Sequence, residues 1–334
     1  MSDLSQLIES LKAAAGADER LALLRAYAAA NDGRGRTGTY DFEREATDLA
    51  VEVPGLIGLA EKVLRNDDGE PALRFLCVAI AFNGRRRERH PDAARGVLDH
   101  AAAEFGGVPL FGHFQAMALE DGPVADLRRG LELAWAAHAQ LPDNAGIDHT
   151  CAVFIADLAS NDDFPDPGPE LRHGLELVNE AIERYHDKGR FYHTRARLKR
   201  LLHDYDGARV DIARAIDLER QGDDAPERRV VYLIERSMID ADRHIAHLAS
   251  VAEESNARLT ADTDKLKATL EASQIQAIEV IGFVTAILGL VMATLGEIRG
   301  QSPQDALIVL AGVAVLLFGA VFFGSWMLRR RMSK

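Results

Sequence analysis

Two groups of side chains have the types that bind metal ions. Asp240, His244 and His247 are spaced by four and three residues, so a helix would place them on one face. The acidic segment 161–166 carries an asparagine and three aspartates. Neither pattern is complete, because the histidines fall on an expected solvated face and the segment lacks the spacing and final glutamate of a calcium loop. We expect neither a metal ion nor a cofactor.

A basic run has the types that bind phosphate. Arg85, Arg86 and Arg87 are followed by Arg89 and His90. Guanidinium groups bind phosphate through paired hydrogen bonds, so the run can meet a phosphorylated or nucleotide ligand. It can equally form a solvated turn, since the apolar pattern places it between two helices. We take the three successive arginines as candidate partner-binding residues.

A glycine-rich segment at residues 31–41, NDGRGRTGTYD, is the remaining phosphate candidate. It lacks the pattern of a nucleotide-binding loop, and no strand is expected before it, so a mobile loop is the alternative. The chain also contains no nucleophile elbow, zinc-protease motif or kinase signature. We therefore expect that it is not an enzyme.

Composition limits the class of protein. Apolar residues make up 47% of the chain, which is enough for a packed core, and aromatic residues only 6%. Alanine is abundant and strand-like alternation is almost absent before residue 275, which favours an all-α fold. The net charge of −13 opposes binding to nucleic acid. Two cysteines alone, Cys77 and Cys151, suit a reducing compartment.

Apolar periodicity predicts a succession of short helices. Residues 2–30 form an opening pair, and the segment 31–41 interrupts the pattern. Ten further helices are expected at 43–52, 55–66, 70–83, 91–105, 109–120, 123–140, 146–160, 168–186, 188–202 and 205–221.

An internal repeat runs through these helices. LRRGLELAWAA at 127–137 is echoed by LRHGLELVNEA at 171–181 and, more weakly, by DGARVDIARAI at 206–216. In each copy a small residue, expected where two helices touch, precedes an alanine by seven positions. The pairs are Gly130 and Ala137, Gly174 and Ala181, Ala208 and Ala215, and in an earlier copy Ala94 and Ala101.

Residues 90–222 resemble the tetratricopeptide repeat family, whose 34-residue unit is a pair of antiparallel helices. Tyr192 takes the aromatic position of the first helix, DYDGA at 204–208 the turn and first small position, and Ile212 and Ala215 follow in place. Pro142 suits the proline that closes an earlier unit. The resemblance implies a helical solenoid whose concave face binds a peptide or protein segment.

The chain departs from the family pattern at two basic residues. Arg195 and Lys199 occupy positions that are usually apolar or aromatic. With Tyr192 they are candidate partner-binding residues.

A long helix is expected from residue 228 into the membrane segment, with a coiled-coil stalk over 228–274. Steps of four and three predict a coiled coil and a homo-oligomer, whereas a helix packed back on the solenoid is the alternative. The heptad positions are Ile234, Met238, Ala241, Ile245, Leu248, Ala252, Ser255, Leu259 and Leu266.

Residues 275–328 predict a two-helix transmembrane hairpin. No charged residue occurs over 280–295 or over 306–328, and a basic tail follows at 329–334. That tail favours a cytoplasmic C-terminus, and two spans would place the N-terminus on the same side. We expect the location to be a bacterial inner membrane. Small residues in the two spans are expected to pack helix against helix. They are Gly282, Ala286, Gly289, Ala293, Gly296, Ala320 and Gly324.

This order of parts predicts a membrane-anchored interaction scaffold or adaptor. A cytosolic helical-repeat domain at 1–227 would capture a protein or peptide partner, and the hairpin would hold it at the lipid bilayer. The alternative is an oligomeric pore-forming or membrane-disrupting effector, gated by the repeat domain. That layout resembles CorA-type magnesium channels and two-span effectors of bacterial defence. The G-M-N sequence of the channels is absent, and GEIRGQ stands at 296–301.

Overall fold

The computed structural model describes residues 3–33, 36–66, 69–120, 122–161, 163–219 and 225–298, and then residue 304 and the short runs 307–308, 311–315, 318–319 and 321–322. All regular structure in these ranges is helical. A short 3₁₀ helix lies at Arg36–Gly38. The α-helices are α1 (Asp3–Ala13), α2 (Ala17–Gly33), α3 (Tyr40–Glu52), α4 (Leu56–Arg65), α5 (Pro71–Arg87), α6 (Pro91–Phe105), α7 (Pro109–Met117), α8 (Val124–Gln140), α9 (Ala145–Ser160), α10 (Gly168–Arg184), α11 (Gly189–Leu201), α12 (Tyr205–Leu218) and α13 (Ala225–Ile298).

Local sequence explains where several helices begin. Pro71, Pro91 and Pro109 each stand in the first turn of a helix, where a missing N–H costs no hydrogen bond. The side chain of Asn144 accepts hydrogen bonds from two backbone amides of α9, and Asp204 accepts one from α12. These signals place the starts close to the predicted boundaries.

Two predicted segments differ from the structure. Arg85, Arg86 and Arg87 were expected between helices, but they form the last turn of α5. Basic side chains are favourable beside the carbonyls at a helix end, which lets α5 continue past its apolar stretch. The glycine-rich segment is shorter than predicted, because α2 extends to Gly33 and Thr39 caps α3.

The small residues of the repeat lie at contacts between helices. They fall on α6, α8, α10 and α12, and all eight are buried. A Cβ built on Gly130 would lie 2.3 Å from Cζ of Phe154, and one on Gly174 would lie 3.3 Å from Cδ2 of Leu198. Close packing at these positions therefore requires a small side chain, as the repeat alignment predicts.

Most consecutive helices pack on one another in the first compact unit, Met1–Ala246. One apolar cluster joins residues of α1 to α7. Two more join residues of α7 to α11, one of them with Tyr40 of α3, and a fourth includes Tyr232 and Ile239 from the start of α13. This succession of contacts is consistent with a helical repeat.

The second unit is His247–Lys334. Its described part is mainly the rest of α13, a single helix of 74 residues that begins in the first unit. Among the described residues, α13 is the one helix long and apolar enough to cross a membrane, and none of its most apolar stretch is buried. Residues 299–303 between the two predicted spans, most of the second span at 306–328 and the tail at 329–334 lie outside the described residues.

The predicted heptad face of α13 is also exposed. Ile245, Leu248, Leu259 and Leu266 are each more than half exposed. In the apolar stretch, a Cβ on Gly282 or Gly289 would meet no atom within 4 Å. Of the other predicted helix-packing residues, Ala286 and Ala293 are exposed on α13, and Gly296 lies in it as well. Ala320 and Gly324 are outside the described residues.

Candidate functional site

Two neighbouring cavities open in the first unit, with volumes of about 720 Å³ and 820 Å³. We call them together the arginine cleft, and individually the first and the second cavity. They share the five lining residues Glu43, Thr47, Arg87, Arg190 and Arg228. Both volumes are typical of ligand-binding pockets.

Four helices bring these shared residues together. Glu43 and Thr47 are one turn apart on α3, and Arg87 is the last residue of α5. Arg190 is the second residue of α11, and Arg228 is the fourth residue of α13. Arg87, Arg190 and Arg228 are therefore more than 35 residues apart in the sequence and yet line the same wall.

Arg190 is held in place by aromatic residues. Its Nη2 donates a hydrogen bond to the Tyr40 hydroxyl at 2.8 Å. The guanidinium carbon lies 5.3 Å from the ring centroids of both Tyr40 and Phe191. Cation–π contacts and the hydrogen bond fix the side chain while leaving it charged.

A buried carboxylate lies beneath the arginines. Glu43 is 3% exposed, and its Oε2 is 3.2 Å from Nε2 of His113. Burial alone would raise its pKa, but the hydrogen bond from His113 and the charges of Arg190 and Arg86 hold the pKa below its ordinary value. Glu43 thus stays ionised and offsets part of the positive charge.

Arg87 shows that positive charge is concentrated here. Its pKa is lowered by partial burial and then by the neighbouring charges of Arg228 and Arg190. An anion that binds between these guanidinium groups would offset their mutual repulsion. The wall shared by the two cavities is therefore suited to an anionic group.

The two cavities differ in their balance of charge. Among the described residues, six basic and five acidic side chains line the first cavity. Six arginines and one glutamate, Glu43, line the second. The arginines of the second cavity are Arg86, Arg87, Arg89, Arg95, Arg190 and Arg228.

Acidic residues outside the lining of the second cavity partner some of these arginines. Arg86 Nη2 is 2.7 Å from Glu120 Oε2, and Arg89 forms an ion pair with Glu227. Arg228 Nε donates to Glu219 Oε2 at 2.9 Å. These ion pairs orient the guanidinium groups of Arg86, Arg89 and Arg228.

Four apolar residues also line the second cavity, next to Arg95, whose Nε donates to the Ala118 carbonyl at 3.4 Å. They are Pro91 and Ala94 of α6, with Met117 and Ala118 from the end of α7. The second cavity therefore combines a strongly basic wall with a small apolar wall.

The structure separates the three arginines of the predicted basic run. Arg86 and Arg87 line the cleft. Arg85 does not line either cavity, because both Nε and Nη2 donate to the Glu61 carboxylate, at 2.6 and 2.9 Å, and Nη1 donates to Glu88. Arg85 thus joins α5 to α4.

The other three candidate residues form an internal cluster. Asp211 on α12 is 2% exposed and accepts from Arg195 at 2.6 and 2.9 Å. Lys199 Nζ is 2.8 Å from the same carboxylate. The Tyr192 ring packs under Arg195, and Arg214, which lines the first cavity, lies 6.0 Å from that ring. A buried aspartate therefore accounts for the two basic residues at usually apolar positions.

Arg190 and Arg228 were not singled out from the sequence. Both stand among other arginines of their helices, and no motif marks either residue. Of the weaker candidates, Asp163 pairs with Arg128 and Asp240 with Arg209. In the part of the chain that the structure describes, no group of three His, Cys, Asp or Glu side chains is arranged to hold a metal ion.

No protein family model matches the chain, and no curated protein matches it either.

Proposed function

We propose that this chain is a membrane-anchored adaptor whose tetratricopeptide-like solenoid binds an acidic segment of a partner protein in the arginine cleft. The observation that carries the proposal is the shared wall of Arg87, Arg190 and Arg228. Arginine clusters commonly recognise acidic motifs, because each guanidinium binds a carboxylate with two hydrogen bonds.

The overall charge of the chain strengthens this argument. A protein with a net charge of −13 repels acidic partners over most of its surface. A basic cleft in such a protein directs an acidic segment to one place. Recognition then depends on the cleft rather than on general electrostatic attraction.

The membrane anchor is the second part of the proposal. Ile278, Ile281 and Leu288 of α13 are each more than half exposed, and an exposed apolar face of this length is unfavourable in water. Insertion of this face into lipid removes that cost. In the complete proposal, a second span at 306–328 forms a hairpin and both termini face the cytoplasm of a bacterial cell.

Self-association is the third part. The exposed heptad residues of α13, among them Ile245, Leu248 and Leu259, would bury one another in a coiled coil between copies of the chain. A homo-oligomer would present several clefts on one membrane patch and increase avidity for a repeated partner.

A pore-forming or membrane-disrupting effector is the second candidate. It is favoured by the continuity of α13, which begins with residues that contact the cleft and continues into the apolar stretch. Ligand binding at Arg228 would then act on the same helix that enters the membrane. Light scattering of the detergent-solubilised chain separates the two functions. A defined oligomer of four or more with ion flux in liposomes favours the pore, and a monomer or dimer favours the adaptor.

A charged peptide tests the cleft directly. A fluorescent hepta-glutamate peptide should bind the full-length chain in detergent, and an uncharged hepta-serine peptide should not. Arg87→Gln and Arg228→Gln should each weaken binding about tenfold, as expected for a lost charge-assisted hydrogen bond. Arg129→Gln, a change at an exposed arginine outside the cleft, is the matched control. Equal binding by all variants, or by both peptides, would contradict the proposal.

A further inference from the structure

We propose that the second cavity binds a phosphorylated small molecule of nucleotide size, which competes with the acidic partner segment for the shared arginines. The competition rests on the proposed adaptor function, whereas the binding itself goes beyond it. The site lies between the ends of α5 and α7, the start of α6, and the arginines of α11 and α13.

The first argument is size. A volume of about 820 Å³ lies within the range of about 300 to 1,000 Å³ that is typical of small-molecule pockets. A single inorganic anion would leave most of this space to water. The volume instead fits a ligand with a body as well as a charged group.

The second argument is charge. Arg87, Arg190 and Arg228 share one wall, where Glu43 and the Glu219 partner of Arg228 supply negative charge. A carboxylate brings one further charge, whereas a phosphate group brings about two near neutral pH and offers three acceptor oxygens. Several guanidinium groups can therefore bind one phosphate at the same time.

The third argument is the apolar wall. Pro91, Ala94, Met117 and Ala118 line the second cavity with uncharged side chains, next to Arg95. A ligand that is charged at one end and largely uncharged at the other would contact both walls. Nucleotides have this character, because the phosphates lie at one end and the flat base at the other.

Calorimetric titration of the full-length chain in detergent tests the inference. The probes are ATP, GTP and inorganic pyrophosphate, all without magnesium. Wild type should bind at least one nucleotide at least tenfold more tightly than pyrophosphate. Arg87→Gln should weaken both kinds of probe about tenfold, and the control Arg129→Gln should change neither.

A substitution in the apolar wall separates nucleotide recognition from simple anion binding. Ala118 is half-buried at the end of α7, so Ala118→Leu adds volume in the cavity. It should weaken nucleotide binding about tenfold and leave pyrophosphate binding unchanged. If Ala118→Leu does not fold, Pro91→Leu tests the same prediction, because Pro91 is an exposed residue that lines the same cavity.

Three results would overturn the inference. They are equal affinity for pyrophosphate and nucleotides, nucleotide binding that Arg87→Gln leaves intact, and no binding of any phosphorylated probe. Hepta-glutamate binding measured on the same samples decides the adaptor function separately. If the peptide binds while the nucleotides do not, only the present inference fails. If the nucleotide binds and does not displace the peptide, the competition is wrong.

Discussion

Arg228 and Glu219 join the first turn of α13 to the end of α12, with Nε of the arginine 2.9 Å from Oε2 of the glutamate. The Tyr232 hydroxyl, one turn further along α13, donates to the other carboxylate oxygen at 3.3 Å. Glu219 also lines the first cavity. The Glu219 carboxylate therefore attaches α13 to the end of α12 and also contributes negative charge to the cleft.

Glu219→Gln should strengthen anion binding. The change removes a negative charge that competes with the ligand for Arg228, so affinity for hepta-glutamate should rise about threefold, as expected for a partly exposed charge. Arg228→Gln should have the opposite effect. Peptide titration at two salt concentrations checks both variants, and an unchanged affinity in Glu219→Gln would mean that Arg228 takes no part in binding.

Gly130→Ala should destabilise the protein. Alanine normally favours a helix by about 1 kcal/mol over glycine, but here the new Cβ would lie 2.3 Å from the buried Phe154 ring. We expect a net loss of about 1–3 kcal/mol in the free energy of unfolding. Gly96→Ala in α6, where a Cβ would meet nothing within 4 Å, should instead gain about 0.5–1 kcal/mol. Urea unfolding of the two variants should give opposite signs.

Arg195→Met should cost about 3 kcal/mol, because it leaves the buried Asp211 carboxylate with Lys199 as its remaining basic partner. Asp211→Leu introduced together with Arg195→Met should recover at least half of that loss, since the pair is then replaced by apolar side chains. A double-mutant cycle in urea measures the coupling. If the two changes simply add, the internal ion cluster makes no coupled contribution to stability.

Asp148 should make stability depend on pH between about 4 and 6. Burial raises its pKa to about 6, although His138 and Arg184 oppose the shift, whereas an unfolded aspartate has a pKa of about 3.9. The folded state keeps the proton in this interval while the unfolded state has lost it. The contribution of this group to stability is therefore present below pH 4 and lost as the pH rises through 6.

Asp148→Asn tests this dependence. The melting temperature of the variant, relative to wild type, should rise between pH 4 and 6.5 and then remain level. Asp92→Asn, at a side chain that is 97% exposed, is the control and should show no such trend. A constant difference between the Asp148 variant and wild type would show that this carboxyl does not titrate in the interval.

Leu288→Lys should weaken membrane insertion. A lysine near the centre of a spanning helix costs about 2.5–3.5 kcal/mol, and Leu288 lies in the middle of the uncharged stretch at 280–295. The membrane fraction that resists alkaline carbonate should fall sharply. Leu266→Lys, at an exposed position before that stretch, should leave it unchanged. Resistance that is equal in both variants would show that Leu288 does not lie in lipid.

Much of the helical framework could be predicted from sequence because it depends on local signals. The helix at 91–105 is predicted with the bounds that α6 has, since Pro91 starts it and a glycine follows Phe105. The paired small residues identify helix contacts because any Cβ at Gly130 would press on the Phe154 ring.

The cleft could not be predicted in the same way. Arg190 and Arg228 become neighbours of Arg87 only through the packing of four helices, and no local pattern records that. The sequence marks Arg85, Arg86 and Arg87 as one basic run, but it does not show which of them face the cleft. Successive residues on a helix point in different directions. Arg85 turns toward Glu61 and Arg87 toward the cavities.

The contact between Tyr40 and Arg190 has a consequence for how the chain folds. Helical repeats usually contact their neighbours alone, so they can assemble stepwise and fray from either end. This hydrogen bond spans 150 residues, and Tyr40 also packs against Tyr185 and Phe191. Such a non-local contact is expected to slow folding and to couple the unfolding of α3 to that of α11. During synthesis, the cleft is therefore completed only after α11 and the start of α13 have left the ribosome.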